Sequence, residues 1–444
     1  MSASEPGRIR RLLVANRGEI AVRVLRTCRR LGIEGVLTVT EADARSLPAR
    51  LADRVVRVPS YLDVDAVVTA ARTCDALHPG YGFLSENPAL ATACDAAGVR
   101  FVGPSAGTLA AAGDKLAARG HAVAAGVPVL PGGPADSARA VAAEIGFPLL
   151  VKAVGGGGGR GMRRVADPAS LDAALDEARA EAGAAFADRR LYLERLVDAG
   201  RHVEVQLLGD GERVVHLGDR DCSVQRRFQK LLEEAPAPHL DARLRADMHA
   251  AAVALGEHLG YRGAGTVEFL VHAGGFAFLE INARLQVEHP VTEAVTGLDL
   301  VAEQIAIAEG QPLRISQDEV TVTGHAIECR LNAEDPDRGF APSPGTVTDA
   351  AFPAGQGIRV DTHVQTGTAV TADYDSLLAK LIVHGPDRAQ ALRVLRDALA
   401  RTTIDGIATT IGLHAAIVAD PDFATGGMPT GWLPQIISAE HARA

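Results

Sequence analysis

Phe147-Pro-Leu-Leu-Val-Lys152-Ala-Val-Gly155-Gly-Gly-Gly-Gly-Arg160-Gly-Met-Arg-Arg-Val165 decides how the middle of this chain folds. An apolar run over residues 147–154 reads as a strand. Seven residues follow, six of them glycine, and they contain a GxGxxG match. Alone, that match is weak evidence for a dinucleotide fold, which needs a helix directly after the glycines. Here Met162 opens a short extended run that Asp167-Pro168 stops. The reading is therefore strand, glycine loop, strand. Such a hairpin offers no helix N-terminus. It can fold over phosphates as a flap, because glycines bring backbone N–H groups close to an anion and adopt positive φ. The alternative is a flexible linker, against which Lys152 stands on the entering strand. No GxxxxGK[ST] occurs anywhere in the chain, which excludes P-loop chemistry.

On the N-terminal side, residues 12–15 read as a buried strand, Gly18–Leu31 as an amphipathic helix and residues 33–39 as a second strand. Alternation continues to about Gly103, which predicts a small parallel α/β sheet. Leu77-His-Pro-Gly-Tyr-Gly-Phe-Leu-Ser-Glu86 reads as a loop at a strand end, where open α/β sheets place ligands, or as an ordinary turn. A subdomain over about 127–197 opens with the breakers Pro128, Pro131, Gly132, Gly133 and Pro134. It continues through the glycine hairpin to a helix at about 169–185 and a strand at 191–196. Strands resume over about 202–281 around a helix near 241–259, and a helix near 297–309 follows. The last section, about 321–444, mixes strands with a helix at about 387–401.

Gly265-Thr-Val-Glu268-Phe-Leu-Val-His272-Ala-Gly-Gly275-Phe-Ala-Phe-Leu-Glu280-Ile-Asn282 reads as a hairpin. A three-residue loop, Ala273-Gly274-Gly275, places Val267 opposite Ile281, Phe269 opposite Leu279 and Val271 opposite Ala277. That makes one apolar face. The same register sets Glu268 opposite Glu280, with Asn282 on the same face. Facing carboxylates repel each other, and a hard divalent cation removes the penalty. Glu, Glu and Asn are oxygen donors suited to Mg²⁺ or Mn²⁺ on nucleotide phosphates. Two solvated carboxylates at a sheet edge are the alternative. Arg284-Leu-Gln-Val-Glu288-His-Pro290 follows directly. Beside a metal site, its Arg and Glu suit an oxyanion clamp and a general base.

Composition bounds the reading. At 444 residues the chain predicts about three domains. A net charge of −10 argues against general nucleic-acid binding. No apolar run reaches a membrane span, and no signal-length hydrophobic region opens the chain. Five scattered cysteines without a CxxC pair fit free thiols in a reducing cytosol, so a cytoplasmic protein is expected. Arg serves almost everywhere as the cation. Only four lysines occur: Lys115, Lys152, Lys230 and Lys380. Lys is a compact point charge and Arg a planar fork, so a surviving Lys can mark a place the fork does not fit.

The chain resembles the biotin carboxylases, a branch of the ATP-grasp enzymes, from Val14-Ala-Asn-Arg-Gly-Glu-Ile20 to about Trp432. The signatures are His78-Pro-Gly-Tyr-Gly-Phe-Leu-Ser-Glu-Asn87, Gly113-Asp-Lys115, the glycine loop, Arg201-His-Val-Glu-Val-Gln206, Glu233-Glu-Ala-Pro-Ala-Pro238, the run from Arg284 to Pro290 and Gly324-His-Ala-Ile-Glu-Cys-Arg330. The resemblance implies an α/β ATP-grasp fold. It would comprise an N-terminal parallel, Rossmann-like domain (1–112), an ATP-grasp domain (113–320) with a mobile lid at about 127–197, and a mixed α+β C-terminal domain (321–444). It implies phosphorylation of bicarbonate by ATP, and capture of the resulting CO₂ at a ring nitrogen of biotin.

By the same resemblance Lys115 and Lys152 contact phosphate, and Gly158 and Gly159 belong to the flap. Glu194, Arg195, Leu196 and Val197 form the adenine hinge, and His202 faces the nucleotide. Tyr81, Gln225 and Phe228 complete the ligand-binding set. Glu268, Glu280 and Asn282 are the metal ligands. Lys230, Arg284 and the Val287 backbone form the bicarbonate pocket, Glu288 is the base and Arg330 stabilises the biotin enolate. Implied partners are a biotin carboxyl carrier protein, a second copy of the chain and a carboxyltransferase subunit. Competing readings are another ATP-grasp ligase and a non-catalytic nucleotide-binding subunit. Three positions depart from the family pattern. Phe228 replaces a usual His, the segment around 57–63 is shorter, and Arg30 stands where some relatives carry an acid that helps pair subunits. No lysine follows a methionine, and little chain remains after Trp432, so biotin is expected on a separate polypeptide.

Overall fold

A computed structural model describes residues 7–155, 162–186 and 188–441. The N-terminal region is a five-stranded sheet of parallel pairs, in the order Arg54–Arg57, Glu34–Val39, Arg11–Val14, Ala76–His78, Arg100–Phe101. The helix Gly18–Leu31 spans the expected residues and stops where Gly32 turns left-handed at φ 70°. Its apolar stripe (Ile20, Val24, Leu25, Cys28) packs with Leu12, Val14 and Leu37 of the sheet. The His-Pro-Gly-Tyr-Gly loop lies at a strand end, as the sequence implies. Asn16 Nδ2 pins it by donating to the Pro79 carbonyl at 2.7 Å and the Tyr81 carbonyl at 2.8 Å. Gly80 has φ +64°, and a Cβ there would come within 2.8 Å of Asn16, so only glycine fits.

The strand–loop–strand reading holds on its described side. Leu149–Ala153 pairs antiparallel with Arg163–Val165, and no helix follows the glycines. Both strands belong to a four-stranded sheet with Gly132–Pro134 and Leu191–Arg195. The helices Ala138–Ile145 and Leu171–Phe186 cover it, giving the 127–197 region its own core around Leu149, Val151, Leu175, Ala178 and Leu193. The sequence reading missed Ala138–Ile145, a short alanine-rich helix behind the proline-glycine run. Gly158 and Gly159 lie outside the described residues.

The second large sheet has eight strands, every pair antiparallel. Their order is Gly275–Asn282, Arg262–His272, Arg201–Asp210, Val214–Arg226, Gln229–Ala235, His325–Asn332, Leu377–Gly385, Ile358–Thr362. Leu232 pairs with Cys329 and Glu234 with Ile327, so one sheet runs straight across residue 320. The expected helix near 297–309 is Leu300–Ala308, and a second helix the sequence reading did not place, His289–Thr296, precedes it and ends at Gly297 with φ 75°. Among the described residues no helix is long and apolar enough to cross a membrane.

The Glu268–Glu280 hairpin keeps half of its expected register. Val267 faces Ile281 and Glu268 faces Glu280. Beyond Glu268 the pairing shifts by one, so Phe269 faces Phe278 and Val271 faces Phe276, not Leu279 and Ala277. The loop is therefore the two-residue turn Ala273-Gly274, with Gly275 paired to His272, and not the three-residue loop. A bulge at Leu279 absorbs the extra residue. It turns Phe278 into the core, where Phe278 N donates to the Pro128 carbonyl at 2.7 Å.

Candidate active site

Strand register builds the site's charge pattern. Arg220, Glu204, Glu268 and Glu280 stand directly across from one another on four adjacent strands. Opposed residues of neighbouring strands share a face, so three carboxylates form one row. Burial makes their repulsion expensive, and cations answer it. Arg220, fully buried, donates to Glu204 at 2.6 Å. Lys230 Nζ lies 2.7 Å from Glu204, 2.8 Å from Glu268 and 2.7 Å from Glu288. His202 Nε2 is 2.8 Å from Glu268 Oε2, and Lys115 Nζ is 3.1 Å from Glu280. Burial pulls the Lys230 ammonium down, but Glu204, Glu268 and Glu288 hold it well above the usual lysine range. Burial lifts the Glu268 carboxyl, and Lys230 and His202 more than offset it, so its pKa is depressed.

Glu288 sits behind this row with no exposed surface. Burial pushes its carboxyl up, yet Lys230, Arg330 and Arg220 hold it well below the carboxylate range, so it stays ionised. Arg330 donates to Glu288 at 2.9 Å and, through Nε, to Glu233 at 2.6 Å. Burial lifts Glu233 to about 7 against the pull of Arg330. Arg284 is aimed by three side-chain acceptors: Glu86 at 2.8 Å, Gln286 at 2.9 Å and Asn282 Oδ1 at 3.0 Å. In the covering subdomain Lys152 pairs with Glu194, both buried.

A cleft of about 920 Å³ joins these groups. Its wall includes Tyr81, Lys115, Lys152, Glu194, Arg195, Leu196, Val197, His202, Gln225, Phe228, Lys230, Glu268, Glu280, Asn282, Arg284, Val287 and Arg330. Among the described residues, every site residue named from the sequence thus lines the cleft, except Glu288, which meets it through Lys230 and Arg330. Phe228 caps the rim. It is 57% exposed, in the two-residue turn Arg227-Phe228, where both residues have positive φ (48° and 66°).

Sequence reasoning missed Glu86, Glu204, Arg220, Glu233 and Lys380. Glu86, Glu204 and Glu233 lie inside quoted motifs without an assigned role. Alternation along Arg201–Asp210 would have placed Glu204 with Gln206 and His202 on one face. Arg220 carries no local signal. The donor chemistry of Glu268, Glu280 and Asn282 fits a hard divalent cation, since all three offer oxygen and their carboxylates now draw ammonium and imidazole groups.

Comparison with known protein families matches three successive stretches of the chain. Residues 8–109 match the biotin carboxylase N-terminal domain, residues 114–316 the carbamoyl-phosphate synthase L chain ATP-binding domain, and residues 328–435 the biotin carboxylase C-terminal domain. A biotin carboxylase of Nostoc sp. is 46% identical, covering 96% of this chain and 99% of that protein. A biotin carboxylase of Pseudomonas aeruginosa is 47% identical, covering 96% and 98%. Among solved structures, the biotin carboxylase domain dimer of Hydrogenobacter thermophilus 2-oxoglutarate carboxylase, with MgADP, ADP and bicarbonate, superposes with a TM-score of 0.94. It is 42% identical over 97% of this chain and 98% of that one. The middle match alone would admit another ATP-grasp ligase, but its two flanks do not. This chain belongs to the biotin carboxylases, ATP-dependent ligases of the ATP-grasp fold.

Proposed function

We propose that this chain carries out the first half-reaction of a biotin-dependent carboxylase, on biotin borne by a separate carrier protein. ATP transfers its γ-phosphoryl group to bicarbonate, giving ADP and carboxyphosphate. Carboxyphosphate breaks down to CO₂ and phosphate, and a ring nitrogen of biotin captures the CO₂. The observation that carries this reading is Lys230, held at one time by Glu204, Glu268 and Glu288. One ammonium joins the carboxylate row to the buried base.

In this reading Lys115 and Lys152 take nucleotide phosphates, residues 194–197 take the adenine, and Gly158 and Gly159 belong to the nucleotide-binding set. Glu268, Glu280 and Asn282 would hold Mg²⁺ or Mn²⁺, which supplies charge neutralisation to the phosphates when bound. Lys230, Arg284 and the Val287 backbone take bicarbonate. Glu288 receives its proton as the bicarbonate oxygen attacks phosphorus. Arg330 faces the oxygen of biotin that gains charge only during reaction. Purified protein should release ADP only with a divalent cation and bicarbonate present, and faster with free biotin. ATP turnover indifferent to bicarbonate would point to another ligase.

The placement of the lysines supports a separate carrier. Carriers hold biotin on an exposed lysine. Lys115, Lys152, Lys230 and Lys380 have side chains only 20%, 10%, 11% and 0% exposed, all in or behind the cleft. Co-expressed with a biotin ligase, this chain should give no avidin signal on a denaturing gel. A biotinylated band at 46.3 kDa would overturn the claim. Besides the carrier, the partners in this reading are a carboxyltransferase and a second copy of this chain. In this chain Arg30 bonds to Asp299.

Phe228 predicts a measurable defect. Its ring sits on the cleft rim and offers the nucleotide no hydrogen bond. Phe228→His should lower the Michaelis constant for ATP about fivefold, the worth of one hydrogen bond. An unchanged or higher constant would show that the pocket has adapted to the ring.

A further inference from the structure

In a chain with 45 basic residues and only four lysines, three lysines line the cleft and the fourth, Lys380, has no exposed side-chain surface. It lies on the strand Leu377–Gly385, directly across from Arg330. Cations on opposed residues share a face, and these two reach consecutive residues of one loop. Arg330 donates to the Glu288 carboxylate at 2.9 Å, and Lys380 Nζ donates to the Val287 carbonyl at 2.9 Å. Glu19 Oε1, on the first turn of Gly18–Leu31, lies 3.0 Å from Lys380 and also accepts the Tyr81 hydroxyl. Asp361 stands opposite Lys380 on the other side, but gives both oxygens to Arg359.

Residues 283–288 lie between the strand end at Asn282 and the helix start at His289, and Glu288 caps that helix without a side-chain bond. No ladder holds this stretch. Burying an ammonium group carries a desolvation cost that a single carboxylate recovers only in part, so a purely structural Lys–Glu pair gives way readily to apolar residues. What an apolar residue could not replace is the bond to the Val287 carbonyl. The peptide is planar, so fixing that carbonyl fixes the 287–288 plane and the direction in which Glu288 leaves it.

We propose that Lys380 is a positioning residue for the bicarbonate half of the reaction: anchored by Glu19 of the N-terminal region, it holds the Val287 carbonyl and so sets the Val287 backbone and the Glu288 base. The inference rests on the reading that this loop serves bicarbonate. The test is steady-state ATP hydrolysis by the full chain, wild type against Lys380→Met and Lys380→Arg, with bicarbonate and ATP varied separately. Lys380→Met is expected to raise the Michaelis constant for bicarbonate about tenfold and lower kcat, with that for ATP within about twofold, as befits loss of a hydrogen bond to a charged group. Lys380→Arg keeps the charge on Glu19 and hence the fold. Its longer planar fork cannot sit where the ammonium does, so the bicarbonate constant of the folded variant should rise, even where its larger side chain lowers the melting temperature. Where Lys380→Met does not accumulate as folded protein, Lys380→Arg alone decides. A bicarbonate constant unchanged in the folded variants, whatever happens to stability, overturns the proposal. A wild type indifferent to bicarbonate overturns the underlying reading instead.

Discussion

Glu288→Gln should reduce bicarbonate-dependent ATP turnover about a thousandfold, the scale of a lost general base. The substitution keeps the shape of the side chain and removes its charge. Lys230 retains Glu204 and Glu268, and Arg330 retains Glu233, so neither cation is stranded. The folded state should therefore persist, with intact nucleotide binding, because Glu288 lies behind the cleft wall and not on it. ATP affinity measured by titration calorimetry should stay within about twofold while kcat collapses. Turnover close to wild type would remove Glu288 from the role of base. Loss of ATP binding together with turnover would make it structural.

Glu280→Gln should abolish turnover at a cation concentration that saturates wild type, since loss of one carboxylate ligand weakens a divalent site severely. It should leave the melting temperature of the metal-free protein unchanged or raised. Glu280 stands opposite Glu268, is 36% exposed and is held only by Lys115 among the described residues. Neutralising it relieves like-charge repulsion across the strand pair. Glu268→Gln should behave differently. Glu268 accepts from Lys230, Asn282 and Gln286 and adjoins His202, all with little exposure. Breaking a buried ion pair at one end costs about 3 kcal/mol or more, so this variant should melt distinctly lower. Both variants losing turnover, with only Glu268→Gln melting lower, would support the row as drawn. Equal destabilisation by both would contradict it.

The contrast between these two glutamates shows what the sequence could and could not reveal. Their facing positions were legible because apolar alternation chooses the register near them, and the pairings at Val267 and Glu268 follow it. The turn was not legible. Alternation carried unbroken to the loop demands three residues there, and a bulge at Leu279 resets the faces instead. Beside the bulge, Phe278 meets a segment far off in the chain, where Pro128 accepts from it and Val129 bridges to it. The absence of a helix after the glycines was readable from Asp167-Pro168 alone. The helix Gly18–Leu31 was readable from its stripe and Gly32. What joins Lys230 to Glu204, Glu268 and Glu288 spans separations of 26, 38 and 58 residues, and no local pattern encodes it. The strand position of Lys380 is legible from alternation, but its purpose is not, because a lone buried cation announces no partner.

The most direct test of the account supplies purified chain with ATP, Mg²⁺, free biotin and isotopically labelled bicarbonate, and measures label that travels with biotin after chromatographic separation from bicarbonate at alkaline pH. The account predicts label on biotin in proportion to ADP released, lost on brief acidification and absent with Glu288→Gln. ADP released without label on biotin, at saturating biotin and bicarbonate, would contradict it.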